Sequence, residues 1–136
     1  MSLAIAYWCV LIAAVLPLVW TAIAKASGQR YDNRDPRGWL SRQDNPRSIR
    51  ANAAQHNAFE AFAPFAAGVV LAQLAGVDAG LIALLAVVFI IARVLHGVLY
   101  LGNRASLRSL AWTLGFACVL ALLVLAAMRV GTPVID

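Results

Sequence analysis

From Leu3 to Ala24 the chain runs for 22 residues without a charged side chain, and Lys25 ends the run. About 20 consecutive apolar residues make an α-helix long enough to cross a hydrocarbon core of roughly 30 Å. The run is too long for the core of a secretory signal, about 7 to 15 residues, and no Lys or Arg precedes it, although Ala22-Ile23-Ala24 mimics a cleavage site. It is therefore expected to be an uncleaved first membrane span. Where it lies in lipid its backbone polar groups must be satisfied internally, and a helix does this.

Three further apolar stretches follow, at about 50–75, 80–101 and 106–129, so that with 3–25 there are four candidate spans. The whole chain of 136 residues is 62% hydrophobic and only 12% charged, against roughly 25% charged in a soluble domain. Four spans consume most of that length, which predicts a single domain, 1–136, of the all-α integral membrane class: a bundle of four transmembrane helices. Disorder, a disulfide scaffold and a large nucleotide-binding domain are excluded by the same arithmetic. Cys9 and Cys118 lie apart inside apolar segments and are expected to act as small hydrophobes.

The one sizeable loop is expected at about 26–49. Gly28, Pro36, Gly38 and Pro46 are read there as helix breakers, among five arginines that alternate with Asp32, Asp35 and Asp44. The second helix, expected to begin near Arg50, would be roughly 39 Å long at 1.5 Å per residue, so its polar start projects past the lipid or lines a cavity. Gly76–Gly80 and Gly102-Asn103 read as short turns, and Gly131-Thr132-Pro133 closes the last span.

The net charge of +5 would suggest nucleic acid as the partner of a soluble protein. Here the positive charge flanks apolar spans, so no nucleic-acid partner is expected. Lys25, Arg30, Arg34, Arg37, Arg42, Arg47 and Arg50 stand in or beside the first loop, and Arg104 and Arg108 follow the third span. Arg129 is the one basic residue on the other side. The positive-inside rule then places both basic loops in the cytoplasm and both termini on the non-cytoplasmic side.

Charge at membrane depth is costly and marks a functional site or a buried structural pair. Arg50, Asn57 and Glu60 share one helical face; Arg93, His96 and Tyr100 form a stripe at i, i+3, i+7; Arg104 and Arg108 stand one turn apart with Trp112 beyond them. Taken singly, each has a plainer reading: Glu60 neutralising Arg93 or Arg50, Tyr100 and Trp112 as interfacial aromatics, Arg104 and Arg108 as positive flanks. Together they place four arginines, a carboxylate, an amide, an imidazole and a phenol at similar depth. Such a pocket suits a small anion carrying one ammonium, with an apolar partner supplied by membrane lipid. His56 and His96 have no second ligand at metal spacing, so no metal is expected.

The run from Arg50 to Glu60 followed by Pro64-Phe65, the run Arg93-Val94-Leu95-His96 with Tyr100-Leu101-Gly102, and the run from Arg104 to Ser109 resemble, in order and over nearly the whole chain, the signatures of the MAPEG family (membrane-associated proteins in eicosanoid and glutathione metabolism), especially its short bacterial members. The resemblance implies a left-handed four-helix bundle that assembles as a homotrimer in the bacterial inner membrane. Glutathione would be the co-substrate, bound between subunits near the cytoplasmic face, without a metal. It further implies that Arg50, Asn57, Glu60, Arg93, His96, Tyr100 and Arg104 line the glutathione site. Arg108 matches the arginine that stabilises the thiolate, and Ser109 matches a serine that assists it. The implied activity is a transferase or peroxidase acting on lipophilic electrophiles. Trp112 stands where a well-studied member has tyrosine, and Ala53 and His56 stand where others have arginines. Those two losses keep open a non-catalytic member of the same fold that binds lipid or another anion. A small four-span exporter is the remoter alternative, since such exporters carry a glutamate in the first span and Leu3–Ala24 has none.

Overall fold

The computed structural model describes residues 2–130; the tail at 131–136, including Gly131-Thr132-Pro133, lies outside the described residues. Five helices follow one another: α1 Leu3–Ser27, α2 Pro36–Ser41, α3 Pro46–Leu74, α4 Ala79–Leu101 and α5 Ala105–Val130. Helices α1, α3, α4 and α5 are each long and apolar enough to span a membrane, so the protein is an integral, multi-pass four-helix bundle. No strand occurs among the described residues.

Two boundaries correct the sequence reading, for the same physical reason. Pro36 and Pro46, expected to break helices, begin them. Each occupies a first-turn position, where proline's missing N–H would have no helical partner anyway. The residue before each supplies the cap: Asp35 Oδ1 accepts from the Gly38 N–H at 3.0 Å, and Asn45 Oδ1 accepts from Arg47 and Ser48 at 2.9 and 3.2 Å. The loop thus contains a short helix, and α3 starts a turn earlier than Arg50. With 29 residues, α3 is about 44 Å long.

The turns are tight. Gly76 (φ 74°) ends the α3 turn in the left-handed conformation, and Asn103 (φ 56°) does the same after α4. Asp78 then caps α4 by accepting from the Leu81 N–H at 2.9 Å. Up-down connectivity brings the end of α1, all of α2, the start of α3, the end of α4 and the start of α5 to one end of the bundle. That end carries every lysine and arginine except Arg93, within the bundle, and Arg129, at the far end of α5.

The core lies towards the opposite end. Phe65, Val69, Ile82, Phe89 and Leu122 are fully or nearly fully buried there, with Cys9 and Cys118 as buried free thiols. Phe65 and Phe89 stack at 3.8 Å between α3 and α4. A smaller cluster of Leu16, Trp20, Ala54 and Ala58 joins α1 to α3 near the basic end. Trp20 fits because Gly97 of α4 presents no side chain; a Cβ there would fall within the indole.

A candidate polar and apolar double site

Asn45 fixes where α3 begins, and Ser48 fixes its height: the buried Ser48 hydroxyl donates to the Ala24 carbonyl of α1 at 2.7 Å. About two and a half turns further on, Asn57 emerges facing α4. Its carboxamide serves two opposite charges. Oδ1 accepts from Arg93 Nη2 at 2.6 Å, the Asn57 main-chain oxygen accepts from the same nitrogen at 3.1 Å, and Nδ2 donates to Glu60 at 3.4 Å. Arg93 is 4% exposed, its Nε finds no acceptor among the described residues, and its stem lies against Gly115 of α5, where a Cβ would come within 3.3 Å. Arg93 is thus held by Asn57 and not, as the simplest charge pairing suggested, by direct contact with Glu60.

One turn on, His96 is buried with its ring edge-on to Tyr100 at 5.6 Å. The Arg108 guanidinium lies over the Tyr100 ring, 4.3 Å from its centroid, at cation–π distance. On α5, Thr113 returns its hydroxyl to the Ser109 carbonyl at 2.9 Å, and Trp112 stacks on Phe116 at 5.1 Å.

These side chains border two adjacent hollows. The first, of about 270 Å³, is lined by Asn57, His96, Tyr100, Arg108, Ser109, Trp112 and Thr113. The second, of about 190 Å³, lies between Pro64 of α3, Phe89 of α4 and Trp112, Phe116 and Val119 of α5, with Asn57, Glu60 and Arg93 at one side. Asn57 and Trp112 belong to both, so a polar and an apolar compartment meet at a shared wall. The polar one offers a guanidinium, hydroxyls and an amide to an anion; the apolar one offers aromatic faces.

Of the residues expected at the site, Asn57, Glu60, Arg93, His96, Tyr100, Arg108 and Ser109 line one hollow or the other. Arg50 and Arg104 line neither, although both lie at the same end of the bundle, so the four arginines do not converge in one niche. His56 points outward and is exposed. Pro64, Phe89, Thr113, Phe116 and Val119 are lining residues that the reading of polar clusters passed over. Their signal was present as spacing: Phe89 precedes Arg93 by four residues, Thr113 follows Ser109 by four, and Phe116 follows Trp112 by four.

The comparisons with known proteins agree with this architecture. The profile of the MAPEG family matches residues 5–128. No curated protein and no solved structure matched the chain. With the match running from the first span almost to the end of the last, and four membrane-length helices consistent with that family's bundle, the chain belongs to the MAPEG family.

Proposed function

We propose that this protein is a glutathione-dependent membrane transferase or peroxidase that acts on lipophilic electrophiles. The observation that carries the reading is the shared wall: a polar hollow holding Arg108, Tyr100 and Ser109 opens beside an aromatic one across Asn57 and Trp112. A water-soluble thiol and a bilayer-derived partner each find a matching surface there. Asn57, His96 and Tyr100 bind the tripeptide in the polar hollow, and Arg93 and Glu60, which border the apolar one beside the shared Asn57, meet its end there, with carboxylates on guanidinium and the amine on Glu60. Arg50 and Arg104 guide it from the cytoplasmic end. The assembly is a homotrimer in the bacterial inner membrane, with both termini on the non-cytoplasmic side.

Arg108 acts as the electrostatic partner of the thiolate. A free thiol has a pKa of about 8.5, and a neighbouring guanidinium lowers it, so the proton passes to solvent and the anion remains. The thiolate pair then attacks an electrophilic carbon in the aromatic hollow. The leaving group departs with the bonding pair, or an opened epoxide oxygen takes that pair and a proton. With a hydroperoxide, sulfur attacks the distal oxygen and expels the alkoxide, which takes a proton to become the alcohol; a second glutathione thiolate then attacks the sulfur of the resulting sulfenic acid and expels hydroxide, giving disulfide and water. Ser109 donates a hydrogen bond to the sulfur.

The test is titration of the purified protein with glutathione, followed by calorimetry and thiolate absorbance. Wild type should bind and develop the thiolate band, whereas Arg108→Ala should bind with that band lost. Absence of binding at millimolar glutathione ends the proposal. A second reading, a non-catalytic member in which the polar cluster fastens helices, draws on the Asn57 clasp around Arg93. It gains if no thiol chemistry appears across a broad electrophile screen while Glu60→Gln dissociates the assembly.

A further inference from the structure

The loop joining α1 to α3 is folded, not slack. Trp39 of α2 is 4% exposed, and its indole N–H donates to the Arg30 carbonyl at 3.0 Å. Gln43 clamps both sides of the loop: Oε1 accepts from the Gln29 N–H at 3.1 Å, and Nε2 donates to the Trp39 carbonyl at 2.9 Å. Lys25 lies over the Tyr31 ring, 4.2 Å from its centroid, and Tyr31 packs edge-on to Trp39 at 5.2 Å. The fold therefore holds α2 close to the ends of α1 and α3.

Charge within this fold is sorted. Asp32 pairs with Arg34 at 3.2 Å, and Asp35 receives the Arg42 guanidinium at 3.3 Å. Arg30, Arg37 and Arg47 are exposed and have no acidic partner among the described residues, while Asp44 is the loop's remaining acid. The loop's two roots continue membrane-spanning helices. With 25 residues, α1 is about 38 Å long, so its last turns pass beyond a hydrocarbon core of roughly 30 Å. Apart from Asp32, Asp35 and Asp44 of the loop itself, the anions at the face of a membrane are lipid phosphates.

We propose that Arg30, Arg37 and Arg47, displayed by the Trp39-anchored loop, form a seat for the headgroups of anionic phospholipids in the leaflet at this end of the bundle. Juxtamembrane arginines attract such a surface within a Debye length. The folded loop gives these three a fixed place at the phosphate level, while Arg34 and Arg42 spend their charge on Asp32 and Asp35. The seat is independent of the thiol chemistry proposed above.

The experiment compares two variants of equal charge loss, Arg30→Gln/Arg37→Gln and Arg34→Gln/Arg42→Gln, in the full-length protein in neutral detergent. Thermal unfolding is followed with added short-chain phosphatidylglycerol, short-chain phosphatidylcholine or glycerol phosphate. The midpoint without additive reports folding of each variant, and Arg47→Gln provides a single-site version. Phosphatidylglycerol should raise the wild-type midpoint. At roughly fivefold per arginine, the first variant should need about 25-fold more lipid for the same shift and Arg47→Gln about fivefold. The second variant should stay within a few-fold of wild type. Equal losses in the two double variants, or equal protection by phosphatidylcholine or glycerol phosphate, would overturn the proposal.

Discussion

Asn57 stands between Arg93 and Glu60, giving both of its oxygens to the guanidinium of the first and its amide N–H to the carboxylate of the second. A neutral side chain thereby couples a buried cation on α4 to an exposed anion on α3, and it forms part of both hollows. Asn57→Leu leaves Arg93 with the main-chain oxygen alone. A hydrogen bond to a charged group contributes about 1.5–3 kcal/mol, so the variant should lose about 2 kcal/mol of stability in detergent. Arg93→Met added to Asn57→Leu should recover much of that loss, because removing both partners leaves no buried charge unsatisfied. A double-mutant cycle of unfolding free energies checks it; strictly additive losses would contradict the coupling.

The Trp20–Gly97 contact sets how closely α1 approaches α4. A methyl group at Gly97 would overlap the buried indole, a flat ring with little room to yield. Gly97→Ala should cost about 1–3 kcal/mol through overpacking. Since Gly97 follows His96 directly, it should also disturb the polar hollow. Trp20→Val alone opens a void, but combined with Gly97→Ala it should cost less than the sum of the two. Thermal midpoints of the three variants decide the matter.

The residue pairs that define the site were only partly legible in the chain. Arg93, His96 and Tyr100 could be placed on one stripe because helical periodicity is local, and the four spans followed from long, predominantly apolar stretches, the first of them without a charge. Which group on α3 receives Arg93 is a tertiary fact: charge alone favoured Glu60, yet the height set by Ser48 and Ala24 brings Asn57 to the guanidinium. Gly115 and Gly97 carry no such signal in the chain, because what they admit, Arg93 and Trp20, comes from other helices. The misplaced helix starts at Pro36 and Pro46 were readable in principle, since Asp35 and Asn45 immediately before them are strong capping residues.

The division of the site into two hollows predicts separable defects. Phe116 lines the apolar hollow and not the polar one. Phe116→Ala should raise KM for a lipophilic electrophile roughly tenfold, the order expected when a pocket loses apolar contact, while the glutathione thiolate band stays intact. Arg108→Ala should show the converse, with the band lost and electrophile affinity kept. Steady-state kinetics beside thiolate absorbance separates the two; a Phe116→Ala protein that lost its thiolate would argue against a divided site.

Acid should loosen the basic loop through Asp32. The Arg34 N–H bonded to its carboxylate at 2.9 Å, and then the Arg34 side chain, hold the Asp32 carboxyl below the ordinary aspartate value. A carboxyl lowered in the folded loop binds its proton more weakly there than in the unfolded chain. Its contribution is therefore present above the ordinary value of about 3.9 and is lost as pH falls through the lower folded value. The pair is solvent-exposed, so the effect should be confined to the loop and leave the spans unaffected. Hydrogen exchange of the segment 30–38, corrected for the intrinsic rate, should show protection in wild type at neutral pH that decays in strong acid. Asp32→Asn should lack this component at every pH, because an amide accepts from Arg34 without charge assistance. Coincident wild-type and Asp32→Asn profiles across that range would remove Asp32 from the account of how the loop is held.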